Sequence, residues 1–512
     1  MAARFSFPRI CIALGFSDPE KLMEHARREA ALGERFLEFR LDFLPQPESG
    51  VGLIRDFLKY HPDCSLLATC RRHQNHGRYT GSVEEEIQIL SAAVDAGARA
   101  VDIEIESAER AVSKLSLFEG RAQLVVSYHN YEGTPALESV MRRMLRIPAA
   151  CYKIVTTARK PSDNWRVLSL AKKHPKAPLL MLAMGEIGFP TRVLSALSGG
   201  MYTYATPSAA EGTAAGQVSA RMLRQQYRVE RAAPQGLKIY GVIADPVRHS
   251  ISPAVHNRAI QSRRLAAIYL PFLVQPLQLR DFFLLADRLP VSAFSVTIPH
   301  KQKILRYLDV VDPLARRIGA VNTVWKKNGK WRGTNTDAEG IRCPLEKRLR
   351  VAKSSVLVVG NGGAARSAAF TLADAGAKVS ITGRNADRVR ALAKACGGTP
   401  LSQEQAGKEW FDVVIHATSL GMWPHVEECF FAGRIPGELV FDLVYTPHET
   451  ELLKRAAAQG CEVIHGLEMF LEQAAAQFQL WTGESAPRAA MEQAAREALN
   501  HQDSLSSHKG SL

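Results

Sequence analysis

Among the eight cysteines there is no C-x-x-C pair and no Cys/His spacing of the kind that holds a metal, so no metal centre is expected. The opening residues, MAARFSFPRICIALGF, lack the h-region and cleavage pattern of a secretory signal. No apolar run reaches the length of a membrane span. These absences together predict a reduced, cytoplasmic protein with no membrane partner. A basic tract is missing too. Net charge is +14 and the pI ≈ 9.4, yet Lys and Arg are scattered and no nucleic-acid motif occurs. Small anionic substrates suit that balance better than nucleic acid.

What is present is ordinary globular composition over 512 residues, 46% hydrophobic and 23% charged, enough for about two to four domains. The first half alternates apolar runs with helix-like periodicity. The runs RICIAL, RFLEFRLDFL, CSLLATC, RAVDIEI, AQLVVSYH, CYKIV, PLLMLAMG and MYTYAT give eight strand candidates by about residue 206. Segments such as VEEEIQILSAAVDAG separate them. Eight strands alternating with helices predict an α/β fold, a (β/α)8 TIM barrel over 1–227, with an open doubly wound sheet as the alternative. RVERAAPQG reads as a linker, 228–236. The last residues, 501–512, are polar and are expected to be a disordered tail.

Further on, SSVLVVGNGGAARSAAFTLADAGAKVSITGR supplies strand, Gly-rich turn, helix and second strand. This is a Rossmann-like dinucleotide unit, placed in a domain spanning 346–464. Gly360, Gly362, Gly363, Ala364 and Ala365 form its turn, where small residues let backbone approach a pyrophosphate. Arg384 follows the second strand. An acid there favours NAD, whereas arginine pairs with the 2′-phosphate of NADP.

In a barrel, reactive groups project from the C-terminal ends of strands. Glu38, Arg40, Asp42, Arg71, Asp102, Glu104, His129, Lys153, Arg192 and Gln217 all fall at such positions. Lys153 stands inside the strand CYKIV, and a lysine buried there is costly as a cation, which lowers its pKa. A neutral amine makes imines with ketones. His129, ending the preceding strand, could move protons beside it. Alone, Lys153 could equally be a snorkelling or salt-bridged lysine, and His129 a structural histidine; their placement on adjacent strands favours chemistry.

The series LEFRLD, TCR, VDIEIES, SYHN, YKIV, MGEIGFPTR and GTAAGQ resembles type I 3-dehydroquinate dehydratase over about residues 8 to 222. The resemblance implies a barrel that dehydrates 3-dehydroquinate through an imine on Lys153, with His129 as proton shuttle. It implies that Arg192 binds the substrate carboxylate, that Glu38, Arg40 and Arg71 make polar contacts, and that Thr213 and Gln217 lie on a closing loop. The family usually carries E-G-G after its TxR segment, its glutamate helping to orient the histidine; this chain has Asn75, His76 and Gly77. With an imidazole of ordinary pKa, dehydration is expected to fall below about pH 6.5.

In the second half, GVIADPVRHSISPAVHN places Ser250 and Ser252 before a Pro-started helix, a setting that suits a carboxylate. FSVTIPHK carries Thr297 and Lys301, GAVNTV carries Asn322, and GTNTDAEG carries Asp337. Lys and Asp from separate loops can make a proton-transfer pair, although each motif alone reads as structural. Together with HATSLGM, FDLVYTPHETELL and GLEMFLEQAAAQFQLWTG they resemble shikimate dehydrogenase over about 237 to 485. The resemblance implies a substrate-binding catalytic domain at 237–345 plus 465–500. It implies reduction of 3-dehydroshikimate to shikimate with NADPH, Lys301 as proton donor and Asp337 as its partner. Ser250 and Ser252 would bind the carboxylate, while Thr297, Asn322, Tyr445 and Gln473 would read hydroxyls. The Gly360–Ala365 turn, Arg384, Thr418 and Gly466 would hold NADP. The chain departs from the family at Ser295, Gly383 and His416, where asparagine is usual.

The product of the first half is then the substrate of the second. The combined reading is a bifunctional shikimate-pathway enzyme, a lyase and an oxidoreductase in one monomer or homodimer. The alternatives are a chain in which only the dehydrogenase half is efficient, a non-catalytic sensor of shikimate-pathway ligands and NADP, or a quinate-directed dehydrogenase.

Overall fold

The computed structural model describes residues 6–208, 216–422 and 425–509, with side chains up to residue 500. Eight parallel strands open the chain: β1 Ile10–Leu14, β2 Phe36–Arg40, β3 Ser65–Thr69, β4 Ala100–Glu104, β5 Gln123–His129, β6 Cys151–Thr157, β7 Leu179–Met184 and β8 Thr203–Ala205. Their order is β7-β6-β5-β4-β3-β2-β1-β8. Between β7 and β8 the ring is joined by a backbone bond from Met201 N–H to Leu179 O, 2.8 Å. The nearly closed barrel matches the expected count, strand for strand.

Local chemistry explains the helices between. The helix Val83–Asp95 starts at a capping box in which Ser82 accepts from Glu85 N–H and the Glu85 carboxylate accepts from Ser82 N–H. Its apolar stripe Ile87, Leu90, Ala93 and Val94 is buried.

Every second residue of a barrel strand points inward, and here the inward rows change character along the strands. Cys11, Phe36, Leu67, Ala100, Val125, Cys151, Leu180 and Tyr202 pack into one apolar cluster. Two residues further on stand Glu38, Thr69, Asp102, Ser127, Lys153 and Tyr204, and two beyond those Arg40, Arg71, Glu104 and His129. The apolar floor supports a polar chamber at the C-terminal end.

The chain divides into two compact units. The first runs to Gly236 and takes in Phe272–Val274 and Arg280–Leu289; the second takes the remainder from Leu237. In the second unit, β9 Lys238–Ala244, β10 Ala267–Leu273, β11 Val291–Val296, β12 Val310–Val311, β13 Thr323–Lys327 and β14 Lys330–Thr334 form a mixed sheet ordered β10-β9-β11-β13-β14-β12. A separate sheet is built from β15 Ser355–Val359, β16 Lys378–Thr382, β17 Thr399–Pro400, β18 Phe411–His416, β19 Gly437–Asp442 and β20 Glu462–Ile464. Its parallel order is β17-β16-β15-β18-β19-β20, so the strand order reverses between β15 and β18, where a doubly wound sheet opens its ligand crevice.

The helix Gly466–Thr482 then returns to the mixed sheet: Gln477 donates to Asn322 O at 3.3 Å and accepts from Ser295 Oγ at 2.8 Å. The final helix spans Arg488–Lys509. A disordered tail from 501 is therefore not what the backbone shows over 501–509; the first helix-stopping residue of that segment, Gly510, comes only afterwards. Among the described residues no helix is long and apolar enough to cross a membrane, and all eight cysteines are free.

Phe36 is 1% exposed on the barrel floor and meets Tyr202 edge to face, with ring centroids 5.3 Å apart. Phe36→Ala should destabilise the barrel by about 3–5 kcal/mol, read as a lowered urea midpoint for loss of the first unit's activity. An unchanged midpoint would mean that the floor is not a close-packed core.

Candidate active sites

Lys153 is third in β6 and 3% exposed. Its strand neighbours in sequence, Tyr152 and Ile154, point the other way. What surrounds its amine comes from other strands: Asp102 Oδ2 at 2.8 Å, Tyr204 Oη at 3.0 Å and Glu38 Oε1 at 3.9 Å. The expectation of an amine in apolar surroundings is thereby corrected. Lys153 is an ion-paired lysine in a polar layer, because β2, β4 and β8 all bring an oxygen to it. Asp102 in turn accepts from Ser127 Oγ (2.6 Å), and Glu38 from Thr69 Oγ1 (2.6 Å). Burial acts to raise the Asp102 carboxyl, but Lys153 and Arg71 carry it well below the usual carboxylate range.

His129 ends β5, and the β5–β6 register sets Ser127 opposite Lys153, so the imidazole stands one layer above the amine on the neighbouring strand. Its Nδ1 contacts Glu104, the last residue of β4. Arg71 Nε pairs with the same carboxylate at 3.0 Å. Asn75 lies elsewhere: it donates to Glu106 Oε2 at 3.1 Å, on the helix beyond β4. The departure at Asn75 thus leaves His129 with an acidic partner, supplied by Glu104. Burial first, then the Arg71 and Lys153 cations, hold the imidazole well below the usual histidine range. Burial pushes the Glu104 carboxyl up to about 7 against the pull of Arg71. The expectation of an ordinary imidazole is corrected accordingly.

The remaining barrel candidates divide. Arg192 is 1% exposed in the first turn of the helix Phe189–Leu197, which follows β7, and burial pulls it down to about 10. Arg40 is committed within the fold, with Nε and Nη2 donating to Asp42 at 2.9 and 2.8 Å and its guanidinium over Phe43. Gln217 follows Gly216, where an added Cβ would sit 2.7 Å from Gly185 O just past β7, at the same end of the barrel. Thr213 lies outside the described residues.

In the second unit Lys301 Nζ meets Asp337 Oδ2 at 2.5 Å. Asp337 opens the helix Asp337–Glu346, whose N-terminal dipole favours its negative charge. Its other oxygen accepts from Asn322 Nδ2 at 2.7 Å. The Asn322 amide oxygen is itself taken by Thr336 N–H (2.8 Å) and Thr323 Oγ1 (2.6 Å). Gln473 comes within 3.5 Å of Asn322 Nδ2 from the returning helix. Ser250 Oγ accepts from Ser252 N–H at 3.3 Å, and Ser252 is buried at the start of the helix Ser252–Ser262. Thr297 follows β11, half-buried, and Tyr445 packs on Phe470 with centroids 5.1 Å apart. Ser295 is a packing residue, bonded to Tyr269 Oη (2.7 Å) and Gln477.

The turn after β15 fits a dinucleotide. Gly360 has φ +127°, and a Cβ there would lie 2.7 Å from Ala417 O. Gly362 has open space where a Cβ would be, and no side chain caps the helix Gly363–Asp374 that it starts. An anion is therefore offered free backbone N–H groups. A Cβ at Gly363 would sit 3.2 Å from Lys301 Cδ, so this helix start lies against the stem of the Lys301–Asp337 pair. Ala364 and Ala365 continue it, with Ala365 fully buried. Arg384 is exposed just past β16. Gly466 starts the returning helix where a Cβ would meet Val444 O at 2.4 Å. The Thr418 hydroxyl, expected to face cofactor, is turned inward to His416 Nε2 at 2.6 Å, and its methyl faces Gly360.

Sequence reasoning placed Asp102 and Glu104 at the barrel mouth without a role, and passed over Tyr204. The signal was the i, i+2 spacing within VDIEIES and MYTYAT, which puts each on an inward row.

The imidazole of His129 should remain uncharged at pH 6, where a free histidine is mostly protonated. The 13C shifts of labelled histidine rings, assigned by loss of one signal in His129→Gln, read this directly. A full titration centred near 6.5 would contradict the buried, cation-flanked setting.

Residues 10–234 match the type I 3-dehydroquinase family. Residues 242–324 match the shikimate dehydrogenase substrate binding domain, 345–423 match shikimate / quinate 5-dehydrogenase, and 466–496 match the shikimate 5′-dehydrogenase C-terminal domain. The chain is 34% identical over 504 residues to the chloroplastic bifunctional 3-dehydroquinate dehydratase/shikimate dehydrogenase of Arabidopsis thaliana, covering 94% of this chain and 83% of that one. It is 34% identical over 384 residues to the shikimate biosynthesis protein AroDE of Chlamydia pneumoniae, covering 74% and 78%. To the shikimate dehydrogenase (NADP(+)) of Gloeothece citriformis (strain PCC 7424) it is 38% identical over 280 residues, covering 51% of this chain and 97% of that one. With both halves matched in order and the plant fusion aligned across nearly the whole length, this chain belongs to the bifunctional 3-dehydroquinate dehydratase/shikimate dehydrogenase family.

Proposed function

We propose that the first unit dehydrates 3-dehydroquinate to 3-dehydroshikimate and that the second reduces this product to shikimate with NADPH. The observation that carries the reading is a pair of lysines, each held by an aspartate. Lys153 is set in the barrel chamber beneath His129, and Lys301 is set against the start of the dinucleotide helix.

In the barrel, Lys153 gives up a proton and its amine adds to the substrate ketone; water leaves and an iminium forms. The iminium draws electrons from the adjacent carbon as neutral His129 removes its proton. The carbon–oxygen bond to the neighbouring hydroxyl then breaks, and His129 returns a proton to the departing oxygen. Hydrolysis of the imine frees the product and the lysine. Glu104 holds His129 by Nδ1, leaving Nε2 for the proton transfer, and its charge stabilises the imidazolium that forms transiently. Arg192, a buried cation at the same end of the barrel, binds the substrate carboxylate.

In the second unit, Ser250 and Ser252 at a helix start bind the carboxylate. NADPH, when bound, supplies the hydride to the ketone carbon. Lys301 donates the proton to the resulting alkoxide, and Asp337 orients the ammonium. Arg384, exposed just past β16, pairs in this reading with the adenosine 2′-phosphate of NADP.

The test is NADPH oxidation with 3-dehydroquinate as the sole added substrate. The wild type should oxidise steadily. Lys153→Ala should stop the coupled reaction while leaving 3-dehydroshikimate reduction intact. Lys301→Ala should slow reduction about 10²–10⁴-fold and spare dehydration. Loss of both activities in either variant would contradict two separate sites.

Glu104 and Asn75 give a sharper contrast. Glu104→Gln should lower kcat for dehydration about 10²-fold with KM moving less than about threefold. Asn75→Ala should leave kcat within about threefold. The reverse pattern would return the orienting role to residue 75.

A further inference from the structure

A buried polar chain in the Rossmann sheet takes no part in the reactions above. Asp442, the last residue of β19, is 0% exposed, and His416, the last residue of β18, is 1% exposed. Asp442 Oδ1 contacts His416 Nδ1 at 2.9 Å and accepts from Val444 N–H at 3.0 Å; its Oδ2 accepts from Thr450 Oγ1 at 2.6 Å. A carboxylate can only accept, so Nδ1 carries a proton, and in the neutral imidazole Nε2 is then the acceptor. The Thr418 hydroxyl therefore donates to Nε2, and its oxygen accepts from Leu420 N–H at 3.2 Å.

The start of the segment 416–421 is tied to this carboxylate through His416. At the far end, Gly421 N–H donates to His425 O at 3.0 Å. Between the ends, Ala417 O and Thr418 Cγ2 lie 2.7 and 3.3 Å from the Cβ position of Gly360, on the dinucleotide turn. The segment thus forms one wall of the crevice between β15 and β18. Its rotamers are set by buried bonds to groups that cannot reach a ligand.

We propose that Asp442, acting through His416, positions the Thr418 segment against the glycine turn and thereby sets the affinity of the second unit for NADPH. The inference rests on the reductase reading. His416 and Asp442 are positioning residues. Thr418 contributes its methyl-lined wall, its hydroxyl being spent on holding that wall still. A site preorganised in this way loses affinity when the support is removed, because binding must then order the wall.

The test uses the full chain and two readouts: the NADPH dissociation constant by calorimetry, and KM and kcat for 3-dehydroshikimate reduction. His416→Ala and Thr418→Val should each raise the NADPH Kd and KM about tenfold, and the KM for 3-dehydroshikimate should not move with them. His416→Asn, whose amide can donate to Asp442 and accept from Thr418, should restore Kd to within about threefold of wild type. Unchanged Kd in both His416→Ala and Thr418→Val, or no rescue by asparagine, would overturn the proposal. Should His416→Ala lose its thermal transition, Thr418→Val, which keeps the side-chain shape, decides. A wild type that binds NADPH but does not reduce 3-dehydroshikimate would refute the reductase reading, while the Kd comparison would still judge the positioning role.

Discussion

The ion pair between Lys153 and Asp102 is the constraint around which the barrel is arranged. An unpaired cation in this position would cost several kcal/mol, and removing one partner of a buried pair typically costs about 3–5 kcal/mol. The strands answer with a layer of oxygens at the height of the amine, contributed by Glu38, Asp102 and Tyr204. Ser127 and Thr69 then satisfy the carboxylates from the strands between. Above that layer the pattern repeats with the roles exchanged: Glu104 is the acid, and Arg71 and His129 share it. The apolar floor from Cys11 to Tyr202 keeps this polar chamber at one end. Charge balance therefore supports the same lysine to which the proposed dehydration assigns the imine.

The second unit handles its lysine differently. Lys301 is partly exposed, with its side chain at 16%, and its partner Asp337 draws on a helix N-terminus and on Asn322. A partly exposed ammonium needs less support, and in the proposed reduction it reaches a substrate beside a nicotinamide. Gly363, packed on the Lys301 stem, sets the Lys301–Asp337 pair beside the dinucleotide turn. In the proposed mechanism the barrel uses a concealed amine that becomes covalent, and the reductase a more accessible one that gives up only a proton.

Much of this was legible in the residues, and the exceptions share a cause. All eight barrel strands could be read because apolar alternation and helix periodicity are local signals. The surroundings of Lys153 could not. Tyr152 and Ile154 are its neighbours in sequence, but a strand turns them to the opposite face, and the groups that meet the amine are set by register with other strands. Register likewise decides that Glu104, and not the residue at 75, meets His129. For the same reason Asp102 could be placed but not assigned, and Tyr204 was passed over. The HATSLGM segment showed a histidine where asparagine is usual, yet its partner Asp442 is distant in sequence and adjacent only in the sheet. Residues 501–512 were expected to be a disordered tail because polar composition was weighed above the absence of a helix stop before Gly510.

The most direct test of the central claim is to trap the lysine. The protein is incubated with 3-dehydroquinate and borohydride, digested, and its peptides weighed. The account predicts a reduced adduct on the peptide containing Lys153 and none on the peptide containing Lys301. An enzyme that dehydrates its substrate but yields no adduct, or carries it on another lysine, would contradict the role assigned to Lys153.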